Sequence, residues 1–170
     1  MNDLTVREML PEDAEQLIAY LKRIGGESDN LTFGPEGFPV TLEKERAVLK
    51  AKADDPKTVM YGVWRGDELI ASGSVNSMPR RMSHRAELGL TVVRDMWNRG
   101  VGHMLLNKLI GFAKDAGIEI INLEVRSDNA AAIHLYEKFG FRRIGTSPAY
   151  FKIGDAYFDF EIMYLDLRKA

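Results

Sequence analysis

The chain has 170 residues, a formal net charge of -2 at pH 7, 45% hydrophobic and 28% charged residues, and no cysteine. This is the composition of an ordinary globular protein with enough chain for one core, so a single domain over residues 1–170 is expected. Disulfides, thiolate metal sites and a cysteine nucleophile are excluded, and the near-neutral balance supplies no global field for nucleic acid.

No run of about 18 apolar residues occurs, and the opening MNDLTVREML carries acids where a signal peptide would need a basic region, so a cytoplasmic protein with no membrane partner is expected. His84, His103 and His134 lie far apart without ligand spacing, and no metal is expected.

Thr5 to Arg7 reads as a short strand, and Pro11-Glu12-Asp13 opens a helix with proline and acids in its first turn. Leu17, Ile18, Leu21 and Ile24 share one face of that helix, and Gly25-Gly26 is expected to stop it. A loop from Gly25 to Val40 follows, rich in Gly, Pro, Ser, Asp and Asn. Thr41 caps a second helix to about Lys52, with Leu42, Val48 and Leu49 available for packing. Val59 to Arg65 and Glu68 to Ser77 form a hairpin about Gly66-Asp67, and Arg85 to Val93 is a third strong strand. Val101 to Ala116 is a helix closed by Gly117, Ile118 to Val125 a strand, and Ala130 to Phe139 a helix closed by Gly140. Strands over about Phe141 to Ile153 and Tyr157 to Leu167, joined at Gly154-Asp155, complete a mixed α/β chain of α+β type without repeats.

The chemistry concentrates where a strand passes through a tight loop into a helix, at Leu90-Thr91-Val92-Val93-Arg94-Asp95-Met96-Trp97-Asn98-Arg99-Gly100-Val101-Gly102. Gly100 and Gly102 let backbone approach a ligand, and the first amides of the following helix have no intrahelical acceptor. With the helix dipole this makes an anion cradle that Asn98 and Arg99 can supplement. A glycine turn needed only for tight packing is the competing reading. A Walker loop is excluded because Gly-Lys-Ser/Thr is missing, and the third glycine of a dinucleotide fingerprint is absent.

Arg99-Gly100-Val101-Gly102 resembles the acetyl-CoA pyrophosphate loop of the GCN5-related N-acetyltransferases (GNAT), Gln/Arg-x-x-Gly-x-Gly/Ala, with Trp97 in the Gln/Arg position. Asn129-Ala130-Ala131-Ala132-Ile133-His134-Leu135-Tyr136-Glu137-Lys138-Phe139-Gly140-Phe141 resembles motif B of the same family. Asn129 is a good N-cap, and Tyr136, nearly two turns on, shares its helix face. The resemblance implies the GNAT fold: a central twisted, mixed, mostly antiparallel sheet of about seven strands with flanking helices and splayed middle strands. It further implies acetyl-CoA as cosubstrate, held by Leu90, Val92, Asn98, Arg99, Gly100, Val101, Gly102 and Asn129.

Without a cysteine, direct attack of an amine on the thioester in a ternary complex is the simplest route. The resemblance assigns Tyr136 as the acid that protonates the leaving thiolate. Glu87 is the expected base or the anchor of a water chain, against a plain reading as a surface or salt-bridged strand residue beside Arg85. His84 is the substitute base. His84-Arg85-Ala86-Glu87 followed by the loop and Leu135-Tyr136-Glu137, and more loosely the region of Tyr157-Phe158-Asp159, resemble spermidine N-acetyltransferases, which implies a small-molecule amine such as a polyamine. Glu27, Asp29 and Glu36 with Phe33 and Phe38 could hold such a cation. A peptide N-terminal acetyltransferase and a noncatalytic acyl-CoA-binding module are the alternatives. The family also implies a homodimer.

Overall fold

The computed structural model describes residues 3–169. Its strands are β1 (Leu4–Glu8), β2 (Val59–Arg65), β3 (Glu68–Ser77), β4 (Arg85–Val92), β5 (Ile120–Arg126), β6 (Arg142–Ile153) and β7 (Ala156–Asp166). They form one sheet in the order β1-β2-β3-β4-β5-β7-β6. Every adjacent pair is antiparallel except β4 and β5, which run parallel. A parallel neighbour needs a long crossover; α3 (Val101–Asp115) supplies it, alongside α1 (Ala14–Glu27), α2 (Leu42–Asp54) and α4 (Ala130–Lys138). The expected mixed, mostly antiparallel seven-stranded sheet is what forms.

The two faces of the sheet are told apart by adjacent residues of β3. Gly73 lies under α3, where an added Cβ would come within 2.8 Å of Leu109 Cδ1. Its neighbour Ser72 faces the other way, toward α1, where Tyr20 shares a hydrogen bond of 2.8 Å with Thr91 Oγ1 of β4. Alternation along a strand thus puts α3 and α1 on opposite faces. On the α3 face the core is dry: Leu105, Leu106, Leu109 and Ala113 are fully buried against Val63, Ala71 and Val75. Each such leucine contributes about 1.5–3 kcal/mol by leaving water.

The hairpin about Gly66-Asp67 forms as expected, with Gly66 at φ +58, and the helix closures at Gly117 (φ +71) and Gly140 (φ +89) use the left-handed conformation that glycine adopts without strain. Thr41 caps α2 by accepting from Lys44 N at 3.3 Å. Leu49 is buried as expected, but Val48 is 43% exposed.

The expected stop of the first helix at Gly25-Gly26 is corrected. After a 3-10 turn over Pro11–Asp13, α1 continues through both glycines to Glu27. Glycine in a helix costs about 1 kcal/mol relative to alanine. Here it is required by close approach, since a Cβ on Gly25 would sit 2.0 Å from Gly34 O of the following loop. The buried face of α1 is Leu17, Tyr20 and Ile24, with Ile18 and Leu21 only partly covered. β5 begins at Ile120 rather than Ile118, because Ile118 N still donates to Ala113 O and closes α3.

Candidate active site

The site is a fork in the sheet. β4 and β5 pair only over Arg85–Glu87 with Ile120–Asn122 and then diverge. In an antiparallel pair the residues that exchange hydrogen bonds alternate with residues whose backbone groups face away. Val93 N donates to Ile70 O, so in this register Thr91 also faces β3, while Leu90 and Val92 turn their N–H and C=O groups into the gap. On the other prong Ser127 N donates to Asp159 O, and the same alternation turns the backbone of Glu124 and Arg126 toward the gap. The wedge is therefore edged on both sides by backbone donors and acceptors that no strand satisfies.

A cavity of about 640 Å³ occupies the wedge. Of the expected donor-binding residues, Leu90, Val92, Asn98, Gly100, Val101, Gly102 and Asn129 line it. Arg99 does not, and its side chain is exposed beside the loop. Asn98 and Gly100 both have positive φ, +58 and +79, which turns the chain sharply into α3. Asparagine tolerates that conformation better than most residues, and glycine adopts it freely. The first intrahelical hydrogen bond is Met104 N to Gly100 O at 3.0 Å, so the N–H groups of Val101, Gly102 and His103 precede it and are free of helical acceptors. A Cβ on Gly100 would meet no atom within 4 Å, so the cradle in front of the helix is open. Gly102 serves packing as well, since a Cβ there would lie 3.3 Å from Leu135 Cδ2 of α4. Both readings of the glycine pair thus apply, one to each residue.

Trp97 is not a substitute side-chain donor for a phosphate. Its indole Nε1 donates to Val92 O at 2.7 Å, which consumes one of the carbonyls facing the gap and stiffens the loop. Arg94 lies over the same ring with its guanidinium carbon 5.5 Å from the centroid.

Asn129 caps α4 by accepting from Ala132 N at 3.2 Å, and its amide nitrogen is left to the cavity. Tyr136 is 6% exposed, packed against the Phe141 ring at 5.6 Å, and lines the cavity. Burial pushes its phenol up to about 12, so the hydroxyl stays protonated across the physiological range.

Glu87 is exposed on β4 and does not line the cavity. Glu124, which the sequence reading passed over, does. It follows Asn122 by two on β5 and so shares a face with it, and Asn122 is the register partner of Glu87. The two carboxylates therefore point to one side of the sheet, and the Tyr150 hydroxyl of β6 donates to Glu124 Oε2. His84 also lies outside the cavity lining, whereas His103 and His134 are part of it.

The loop acids are placed differently from the expectation. Glu27 accepts from Arg23 Nε at 2.9 Å and Arg94 N at 2.7 Å, and Glu36 accepts from Gly34 N at 2.9 Å. Neither they nor Asp29 line the cavity; Ser28, Asn30 and Leu31 do. Phe33 and Phe38 pack edge to face at 5.8 Å, with Phe38 half exposed. Among the described residues no helix is long and apolar enough to cross a membrane, and no cluster of three or more His, Asp or Glu is placed to hold a metal.

Residues 27–141 match the acetyltransferase (GNAT) family. The chain is similar to the N-alpha-acetyltransferase RimI of Mycobacterium tuberculosis, 30% identical over 114 residues that make up 65% of this chain and 70% of that protein. Five further curated relatives are matched over 16% to 53% of their own length. Among solved structures, the acetyltransferase of the GNAT family from Streptococcus pneumoniae superposes with a TM-score of 0.92 at 27% identity, covering 96% of this chain and 99% of that one. The yncA protein of Salmonella typhimurium, solved with its cofactor acetyl-CoA, shares the fold with a TM-score of 0.84 at 18% identity, covering 98% and 95%. A forked sheet with a glycine loop opening onto it and a family match across more than half the chain define the class: the chain belongs to the GNAT family of acetyltransferases.

Proposed function

We propose that this acetyltransferase moves an acetyl group from acetyl-CoA to a primary amine by direct attack in a ternary complex. The observation that carries this reading is the convergence of three features on one cavity: the backbone edge at Leu90 and Val92, the open helix start at Gly100–Gly102, and the protonated Tyr136 hydroxyl. Donors at a helix start suit a pyrophosphate, and unpaired strand backbone suits the amides of a pantetheine arm.

In this reading the amine nitrogen attacks the thioester carbonyl carbon, the carbon–sulfur bond breaks, and Tyr136 gives its proton to the departing sulfur. The amine proton passes to a carboxylate, directly or through water. We assign that role to Glu124, because it faces the cavity and Glu87 does not. Glu87 becomes a second negative charge on the same side of the sheet, which favours a cationic amine at the approach. Positioned acid–base groups of this kind each contribute on the order of 10²- to 10⁴-fold.

A small cationic amine, a polyamine among them, is compatible with two carboxylates on one face. The loop acids supply no further support for a polyamine, since Glu27 is committed to Arg23 and Arg94. The similarity to RimI favours a second reading, a peptide amino terminus as acceptor. The test is initial CoA-thiol release across spermidine, other alkylamines, amino acids and short peptides with free amino termini. Release with one acceptor class names the substrate; saturable acetyl-CoA binding without release for any acceptor would turn the reading into that of a binding module.

A further inference from the structure

The open end of the fork is spanned by chain that belongs to neither strand. Two residues beyond the end of β4, Arg94 donates its backbone N–H to Glu27 Oε2 at 2.7 Å. The same carboxylate takes Arg23 Nε at 2.9 Å through Oε1, and Arg23 reaches on to Asp95 and Glu68, both at 2.7 Å. On the opposite prong Arg126, the last residue of β5, donates Nη1 to Asp29 O at 3.0 Å. Arg126 is itself fixed by both oxygens of Asp128, at 2.9 and 2.6 Å, and lies over Phe158 with its guanidinium carbon 4.0 Å from the ring centroid. Glu27 and Asp29 are two residues apart, a stretch of chain that reaches at most about 7 Å.

We propose that residues 27–29 form a strap that sets the width of the β4/β5 wedge, with Glu27 as a positioning residue for the acyl donor and Arg126, which itself lines the cavity, as the anchor on the opposite prong. The inference rests on the reading of the wedge as the donor site. β4 and β5 have no mutual pairing beyond Glu87 and Asn122, so no strand ladder fixes their separation at the reacting end. Charge-assisted bonds to backbone groups at both ends of the strap are short and directional, which makes them suited to fixing a distance. Ser28 sits between the two anchor points and faces the cavity, so the strap is also its wall. Acyl transfer requires the nitrogen and the carbonyl carbon about 3–3.5 Å apart, and a misplacement of about 1 Å costs on the order of 100-fold. Glu27 itself is outside the cavity lining, so its influence runs through the turn at Arg94 and the strap.

The test is amide hydrogen exchange combined with kinetics on Glu27→Ala, Glu27→Gln and Arg126→Ala, each confirmed folded by circular dichroism. The strap predicts effects across the fork: Glu27→Ala accelerates exchange at residues 127–129 at least fivefold, and Arg126→Ala does the same at residues 94–97. Glu27→Gln, which keeps a carbonyl acceptor for Arg94 N, restores most of the protection. In turnover, Glu27→Ala lowers kcat/KM at least tenfold, and adding Arg126→Ala lowers it less than threefold further, because a strap cut at one end is already released. Variants that loosen only their own side, or whose kinetic losses multiply independently, would overturn the strap. A wild-type protein inactive with every acceptor would remove the transferase reading alone, and the exchange across the fork would then decide the strap by itself.

Discussion

Tyr150 of β6 donates its hydroxyl to Glu124 of β5 across the intervening strand β7, from within an aromatic cluster in which its ring lies 4.6 Å from Phe160 and 5.8 Å from Phe151. The carboxylate holds the Tyr150 phenol up to about 12, so the donor stays protonated at any pH where the protein works. Glu124 is thus fixed in orientation by a neutral group. If Glu124 is the base, Glu124→Gln lowers kcat by about 100-fold or more, Glu87→Gln by less than about threefold, and Tyr150→Phe falls between them. Initial CoA-release rates at saturating acceptor decide this, and the reverse order for the two glutamates would return the role to Glu87.

Tyr136→Phe removes one transferable proton and no packing volume. Turnover is expected to drop at least tenfold while acetyl-CoA affinity changes by less than about twofold. Because burial raises the phenol from 10.0 to about 12, the acid is fully present below pH 10, and the rate profile shows no loss from Tyr136 at or below that pH. The linkage to stability has the same sign. Its contribution is intact below the unfolded value and is lost as pH rises through the folded one. A rate unaffected by Tyr136→Phe would dismiss it as the acid.

Gly100 and Gly102 are expected to separate. Gly100→Val is strained because φ is +79, a cost of about 1–2 kcal/mol, and its side chain enters the open cradle. Calorimetry is expected to show at least tenfold weaker acetyl-CoA binding. Gly102→Ala meets only the flexible end of Leu135 and is expected to bind within about threefold of the parent protein. Equal effects at both positions would contradict the division of roles.

Away from the site, Asp13 is 5% exposed and accepts from both terminal nitrogens of Arg7 at 2.7 Å and from Leu10 N at 2.9 Å. The Arg7 guanidinium holds its carboxyl below the usual aspartate value of 3.8. Its stabilisation is present above that value and is lost as pH falls through the lower folded one. Asp13→Ala is expected to cost about 2 kcal/mol at pH 7 and markedly less at pH 2 in urea denaturation. A loss independent of pH would assign the effect to packing.

Much of this fold can be read from local rules. The hairpin at Gly66-Asp67, the cap at Thr41 and the closures at Gly117 and Gly140 follow from backbone chemistry that acts within a few residues. The misreading at Gly25-Gly26 has the opposite origin, because Gly34 O passes over the helix there and only a distant segment explains the missing side chain. Glu124 sits at a polar position of the alternating strand Ile121-Asn122-Leu123-Glu124-Val125, where a carboxylate reads as ordinary solvent-facing surface. The strand pattern alone gave no signal that this exposed position borders a cavity. Arg126 carried no signal, since its partner is a backbone carbonyl nearly a hundred positions away in sequence.

Among the described residues, the strand ladder between the β1–β4 half of the sheet and the β5–β7 half has three residue pairs, preceded by bonds from Glu119 N and Ile120 N to His84 O. On the proposed reading, a donor lying in the wedge would offer hydrogen-bonding groups to the two unpaired edges and so take the place of an eighth strand along the seam. Cofactor occupancy would then be a part of the architecture as well as of the chemistry. At a concentration 100 times its dissociation constant a ligand adds about 2.7 kcal/mol to stability, and here that gain falls on the weakest join in the sheet. The melting temperature of this protein should therefore rise with acyl donor before any acceptor is present, and the slowest-exchanging amides of β5 should slow further as the seam is stitched.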